Sequence, residues 1–352
     1  MDDYSDLTIA IPTYNRSRYL KRCLEHLQSC RLNGARILVI DNFSTDDTPL
    51  VLRKFESSSL QGTLRFVRNA ANIGGDANIL RCFELAATKW LWIVGDDDKP
   101  LPNSVDCIMH EVTRQSKCVY LNFSTSILQL RATRCNSFST FGLAEFVERL
   151  DCYSNILFIT AGVYQREVFV PYLSRAYPFI YAHSAHLALL LIGLGELADM
   201  QCFFSASKIA DWEPPAAEIA WNHDNFTSRC PFVVQAIASS RLRCIMLSKI
   251  AKVADIAPSL SMQSLRAGLG RDQEFVQICA RRYLDLFSIT LHFKRAVVCA
   301  FLVMYLSRLS LFRWLVWCLV ELSKGPIPVL GKYINIVVSK ELLRPSLLRT
   351  SG

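Results

Sequence analysis

The first third of the chain switches repeatedly between two hydrophobic periods. Short apolar runs at Leu7–Ile11, Arg36–Ile40, Leu64–Val67 and Leu91–Val94 have the length of buried strands. Between them apolar residues recur at helical spacing: Leu20, Cys23, Leu24 and Leu27, then Val51, Leu52 and Phe55, then Ile79, Leu80, Phe83 and Leu85. Pro12 is expected to stop the first strand and Ser17 to cap the first helix, with Ser44, Thr45, Asp46 and Asp47 supplying caps for the second. Strand and helix alternate throughout, so the fold class is α/β with a mainly parallel sheet.

Further along, Ser104–Val112 reads as a helix and Lys117–Phe123 as a strand. Ile156–Val163 is an apolar run whose Gly162 suits a close backbone approach. Pro178–His186 opens a very apolar helix, Leu187–Leu194, and Asp211-Trp212-Glu213 reads as a polar loop able to close over a ligand. Residues 230–254 and Asp272–Leu291 read as helices.

Ligands of parallel α/β sheets bind beyond the carboxyl ends of the strands. Each strand here ends in a polar loop: Thr13-Tyr14-Asn15, Asp41-Asn42, Arg68-Asn69 and Asp96-Asp97-Asp98. Three adjacent carboxylates repel one another unless a cation offsets the repulsion. Mg²⁺ or Mn²⁺ does this best, because hard cations prefer carboxylate oxygen and keep positions open for phosphates. The competing reading is a solvated acidic turn.

Composition narrows the class. At 352 residues, with 51% hydrophobic and 20% charged, the chain is globular and exceeds one ordinary domain. Its acidic start lacks the segments of a signal peptide, and its thirteen cysteines form no C-x-x-C pair, so reduced core thiols in a cytosolic setting are expected. The net charge of +8 sits at one end: from Lys294 onward, nine Lys and Arg face two Glu. The longest apolar run there, Ala296–Leu306, is shorter than the roughly 20 residues that span a bilayer. With Arg308, Arg313, Trp314 and Trp317, residues 294–322 read as a helix lying in the headgroup region, against a core helix or an oligomer interface as alternatives. No polar aromatic platform accompanies the basic tail, so nucleic acid is not an expected partner.

The succession A-I-P-T-Y-N-R, V-I-D-N-F-S-T-D-D-T, N-I-G-G-D-A-N and W-I-V-G-D-D-D resembles the nucleotide-binding half of family-2 glycosyltransferases, which have the GT-A fold. The resemblance implies a nucleotide-sugar donor held by Pro12, Thr13, Tyr14, Asn15, Arg16, Asp41, Asn72, Gly75 and Asp96. Tyr14 would stack beside the base and Asp41 would hydrogen-bond it. Taken alone, Tyr14 reads as packing against the following helix, and Gly74-Gly75 as a helix-entry turn. The acidic cluster would match the family's D-x-D metal site, with Asp97 and Asp98 as metal ligands. Its register is open: many members read D-x-D-D, which puts Gly95 at the first acidic position, whereas counting from the first aspartate gives Asp96 and Asp98.

A transfer also needs a group to take the acceptor's proton. The family usually places an E-D pair where this chain has His183 and His186. Neutral histidine suits that task, and His183 is the position-matched base, with helix capping or packing as its other reading and Asp211-Trp212-Glu213 as the other candidate group. The implied domains are a GT-A domain over 1–215 (nucleotide half 6–115, acceptor half 116–215), a helical subdomain over 216–293 and a basic tail over 294–352. The implied activity is metal-dependent sugar transfer to a glycan or lipid-linked saccharide on the cytosolic membrane face. The V-G-D-D-D run and the absent E-D pair are similar to the abequosyltransferase-like O-antigen branch. Competing functions are a non-catalytic nucleotide-sugar-binding membrane scaffold and a sugar-1-phosphate nucleotidyltransferase. The latter needs a Gly-rich basic loop where this chain has P-T-Y-N-R.

Overall fold

The computed structural model describes residues 3–56, 60, 62–124, 134–182, 184–197, 199–212 and 230–254. The chain divides into two compact units, residues 1–221 with 229–246 and residues 222–228 with 247–352. Only 247–254, the end of the helix Ser240–Ala254, are described in the second. The expectations for His183, Glu213, Asp272–Leu291 and the basic tail therefore lie outside the described residues.

In the first unit the elements run β1 (Leu7–Thr13), α1 (Ser17–Gln28), β2 (Arg36–Asp41), α2 (Thr48–Glu56), β3 (Leu64–Arg68), α3 (Gly75–Leu85) and β4 (Trp90–Ile93). They continue with β5 (Asp98–Pro100), α4 (Ser104–Arg114), β6 (Cys118–Ser124), β7 (Phe138–Phe141), α5 (Gly142–Arg149), α6 (Tyr153–Leu157) and β8 (Gly162–Gln165). The short helices α7 (Arg166–Phe169) and α8 (Leu173–Ala176) precede α9 (Ala185–Glu196), β9 (Gln201–Lys208) and β10 (Ala210–Trp212). Eight strands form one sheet in the order β3-β2-β1-β4-β8-β6-β9-β7. β1 to β4 are parallel, β8 enters antiparallel between β4 and β6, and β9 runs parallel to β6. β10 pairs antiparallel with β5 as a separate ribbon, which replaces the expected loop at Asp211-Trp212.

Pro12 does not end β1. Ala10 accepts from Val94, so even-numbered residues of this strand turn their backbone groups toward β4, and pairing with β4 stops at Ala10 opposite Ile93. Pro12 lies beyond that point, so its missing N–H deprives no neighbour, while pairing with β2 continues to Thr13 opposite Asp41.

One face of the sheet buries Leu7, Ile9 and Ile11 with Leu20, Leu24 and Leu27 of α1, Leu52 and Phe55 of α2, and Val105 and Ile108 of α4. α3 packs on β1 with Leu80 and Phe83 fully buried; the Phe83 ring meets Tyr164 edge-on at 5.0 Å. Gly162 sits where a Cβ would lie 3.1 Å from the hydroxyls of both Tyr120 and Tyr164, which accounts for glycine at that position. α9 is buried along ten consecutive residues, Ala185 to Leu194, as its lack of a polar stripe requires. Among the described residues none of the nine cysteines forms a disulfide. Among the described residues no helix is long and apolar enough to cross a membrane.

Candidate active site

The carboxyl ends of β1 to β4 share one edge, and two hydrogen bonds carry the ladder one residue further before the loops diverge. The Asn42 N–H reaches Thr13 O at 2.9 Å and the Asn69 N–H reaches Asp41 O at 2.9 Å. The loops are then stitched side by side. Asn15 adopts a left-handed conformation (φ 51°), donates its N–H to Ser44 Oγ at 2.8 Å and accepts from the Thr45 N–H at 2.7 Å. Asp46 accepts from the Ser17 N–H at 2.8 Å and from Thr48 Oγ1 at 2.6 Å. Burial would raise the Asp46 pKa, but these hydrogen bonds win and lower it. The helix α1 thus starts at Ser17 and is capped by a carboxylate from the next loop, not by the Ser17 hydroxyl.

Asp41 is fully buried. Its Oδ1 accepts from the Ser44 N–H at 2.9 Å and its Oδ2 from Arg68 Nη1 at 2.7 Å. Arg68 also donates to Ser44 O, and its guanidinium lies 5.1 Å from the centre of the Phe43 ring. Asp41 therefore shapes the β2 loop from beneath. Tyr14 and Phe43, on the β1 and β2 loops, are each 41% exposed, and Ile73 is exposed in the loop after β3. Asn72 accepts from Asn42 Nδ2 at 2.8 Å and from the Gly74 N–H at 2.9 Å, so it locks the turn that enters α3. Gly74, with φ 88°, supplies the left-handed turn residue, and Gly75 is the first residue of the helix. No Cβ at Gly75 would meet a neighbour.

The three aspartates separate in role. Asp96 Oδ2 accepts from Thr13 Oγ1 at 2.7 Å, and its Oδ1 accepts from Arg16 Nη1 at 3.0 Å. Asp97 Oδ2 accepts from the same Arg16 nitrogen at 3.0 Å. Asp98 Oδ2 meets Thr160 Oγ1, and Thr160 in turn accepts from the Gly95 N–H at 2.9 Å. Burial pushes the Asp96 carboxyl up to about 6 despite Arg16, and burial, with the neighbouring Asp97 adding to it, also pushes Asp98 well above the usual carboxylate range. Burial alone would lower the Arg16 pKa, but Asp96 and Asp97 more than offset it.

Gly95 bears on the register of the D-x-D run. A Cβ there would lie 2.5 Å from Asp98 Oδ2, so the carboxylate of Asp98 fills the space that a first acidic side chain would need. Gly95→Ala is expected to expel that carboxylate and lower stability by about 1–3 kcal/mol. The change should appear as a lower urea midpoint at unchanged slope. An unaltered midpoint would contradict the packing of Asp98 against Gly95.

Among the described residues no three carboxylate, imidazole or thiol groups converge as a metal cage. Two carboxylate oxygens do converge, on the one position now held by Arg16 Nη1. A hard cation that takes one or two carboxylates and completes its shell with water and phosphate fits that pair.

Two positioning residues were not legible in the sequence. Thr160 joins the aspartate turn to the second half of the sheet, and Trp92 Nε1 donates to its carbonyl at 2.8 Å. Asp76 Oδ1 accepts from the Ala185 N–H at 2.9 Å and so caps α9 from 109 residues away. The buried His186, one residue further on, has its pKa lowered by burial, with Asp76 opposing. Lys208 pairs with Asp211 at the β9–β10 junction.

Residues 8–140 match the family model described as glycosyl transferase family 2. Abequosyltransferase RfbV of Salmonella typhimurium is 30% identical over 117 residues, covering 33% of this chain and 34% of that protein. Glycosyltransferase GlyG of Streptococcus pneumoniae is 25% identical over 125 residues, covering 34% of this chain and 40% of that protein. The match thus spans well under half the length of these curated relatives. Among solved structures, S. aureus TarS 1–349 in complex with UDP-GlcNAc aligns with a TM-score of 0.60 at 10% identity, over 88% of this chain and 90% of that one. Mannosyltransferase PcManGT from Pyrobaculum calidifontis, in complex with GDP-Man and Mn²⁺, aligns with a TM-score of 0.51 at 12% identity, over 87% and 86%. The parallel sheet, the four loops at its carboxyl edge and these matches agree: the fold is GT-A, and residues 8–140 are similar to glycosyl transferase family 2 domains.

Proposed function

We propose that the chain transfers a sugar from a nucleotide-sugar donor to a hydroxyl of a glycan or lipid-linked saccharide, with a divalent cation of the Mg²⁺ or Mn²⁺ type. The observation that carries this reading is the convergence of Asp96 and Asp97 on a single cationic position, held by Arg16 of the loop on which Tyr14 is exposed. The cation would be held by that pair, with Asp98 as a further ligand once its carboxylate leaves Thr160, and would supply neutralisation of the departing nucleoside diphosphate. Tyr14 offers an exposed aromatic face to the base, and Asp41 with Arg68 holds the loop on which Phe43 stands. His183 would take the acceptor hydroxyl's proton on an imidazole nitrogen; its support is its place just before α9, whose first N–H is fixed by Asp76. The bound sugar nucleotides of the two solved neighbours, UDP-GlcNAc and GDP-Man, are reasonable first donors to test.

A radiolabelled panel of UDP-, GDP-, CDP- and dTDP-sugars, assayed with Mn²⁺ and bacterial glycolipid extracts, tests the proposal. Label entering a saccharide with one donor class, and its loss in EDTA, is the expected result. Donor binding with no turnover on any acceptor would favour a sugar-nucleotide-binding scaffold instead.

We further propose that residues 294–322 hold the enzyme at an anionic membrane surface, where a bilayer-bound acceptor is presented. Apolar area and basic charge occur together there, as surface attachment requires. The full chain is expected to sediment with anionic liposomes and a version ending at 293 to stay in solution. Sedimentation of both would remove the anchor from this segment.

A further inference from the structure

We infer that Arg16 is an internal counter-cation that holds Asp96 and Asp97 in place until a divalent cation with its nucleotide displaces it. This inference rests on the metal-dependent reading above. One guanidinium nitrogen, Nη1, lies 3.0 Å from an oxygen of each carboxylate, so it stands where a shared cation would stand. A metal of the Mg²⁺ class needs its oxygens at about 2.0–2.1 Å, and the two positive groups cannot share that position. Arg16 must leave for the metal to enter.

The surroundings suit such an exchange. The backbone of Arg16 is fixed, because Asn15 before it is tied to Ser44 and Thr45, and Ser17 after it donates to Asp46. Its side chain is a flexible stem with 27% of its surface exposed, so the head group can swing without disturbing the loop. Asp96 keeps its orientation meanwhile, since Thr13 Oγ1 holds its other oxygen. A displaced guanidinium remains beside the site, and its planar fork matches the oxygens of a diphosphate. The two carboxylates would therefore never be left without a positive partner, and metal alone would bind less readily than metal carried in by a nucleoside diphosphate.

The test uses the full chain and Mn²⁺ itself, followed by loss of the free-ion electron paramagnetic resonance signal. In wild type without nucleotide, Mn²⁺ is expected to bind weakly. Arg16→Gln should bind it about tenfold more tightly, since a partly solvated ion pair is removed from competition. Arg16→Lys, which keeps the charge, should stay near wild type. Adding UDP, GDP, CDP or dTDP in turn should narrow the gap between wild type and Arg16→Gln. Lys21→Gln, which removes an exposed charge on α1 paired with Glu25, controls for net charge and should change nothing. Equal Mn²⁺ affinity in wild type and Arg16→Gln, weaker binding in Arg16→Gln, or an equal gain in Lys21→Gln would overturn the exchange while leaving the metal site standing. Absence of Mn²⁺ binding in every variant, with and without all four nucleotides, would overturn the metal reading itself.

Discussion

Asp97→Ala is expected to cut sugar transfer by about a hundred- to a thousandfold at saturating Mn²⁺ and donor, with little change in the fold. Asp97 is one of two carboxylates that share the Arg16 nitrogen, and it is the less buried of the two, at 14% against 5% exposure. Removing it leaves a single fixed oxygen at the cation position. A preorganised charge aimed at the leaving group typically carries two to three orders of magnitude in rate, and a bound metal adds several kcal/mol of the same kind. Few packing contacts are lost with a short, half-buried carboxylate, so the thermal midpoint should stay close to that of wild type. The effect should appear in kcat more than in donor affinity if the metal acts chiefly on departing charge. Initial rates with the donor identified from the panel would measure it, and activity within tenfold of wild type would remove Asp97 from the metal site.

Arg134→Met is expected to cost about 3 kcal/mol of stability without touching the donor site. Arg134 is buried among the strands of the second half of the sheet. Its Nε donates to Asp151 Oδ2 at 2.8 Å, Nη1 to Asn122 O at 2.9 Å and Ser205 O at 2.6 Å, and Nη2 to Asn122 Oδ1 at 2.8 Å. The guanidinium also faces the Phe138 and Phe204 rings at 5.7 and 5.1 Å. Methionine would keep most of the apolar stem but leave these acceptors without their donor. Breaking a buried pair from one side generally costs about 3–5 kcal/mol. Asp151 is 30% exposed and recovers some hydration, which places the expectation at the lower end. Urea unfolding monitored by circular dichroism would read it as a lower midpoint. A loss below about 1 kcal/mol would mean that Arg134 does not bind this region together.

The two expectations mark how far the sequence could be read. The first half was legible because its signals are local. The runs at Leu7, Arg36, Leu64 and Trp90 became parallel strands, and the helical spacing of Leu20, Leu24 and Leu27 became the buried face of α1. The four polar loops converge because parallel strands place their carboxyl ends on one edge.

The second half was harder. β7, β9 and the β5–β10 ribbon are short or of mixed polarity, and their partners lie far off in sequence; Trp212 pairs with Asp98, for example. The roles of Arg134, Thr160 and Asp76 depend on contacts across tens of residues, which no local spacing encodes. Asp41 differs for another reason. Resemblance points its carboxylate at the nucleobase, and the fold adds a second task that the motif does not spell out: its two oxygens accept from the Ser44 N–H and from Arg68.

On the proposed function, the pair Asp96–Asp97, at the carboxyl edge of the parallel sheet, receives the cation and diphosphate of a sugar nucleotide. Crystals of the full chain soaked with Mn²⁺ and the nucleoside diphosphate of the active donor, measured at the manganese absorption edge, test it directly. The expected result is one anomalous peak within coordination distance of Asp96 and Asp97, bridged to the phosphates, with Arg16 swung off the pair and the base against Tyr14. Nucleotide bound elsewhere, or manganese absent from the aspartates while Arg16 still spans them, would contradict it.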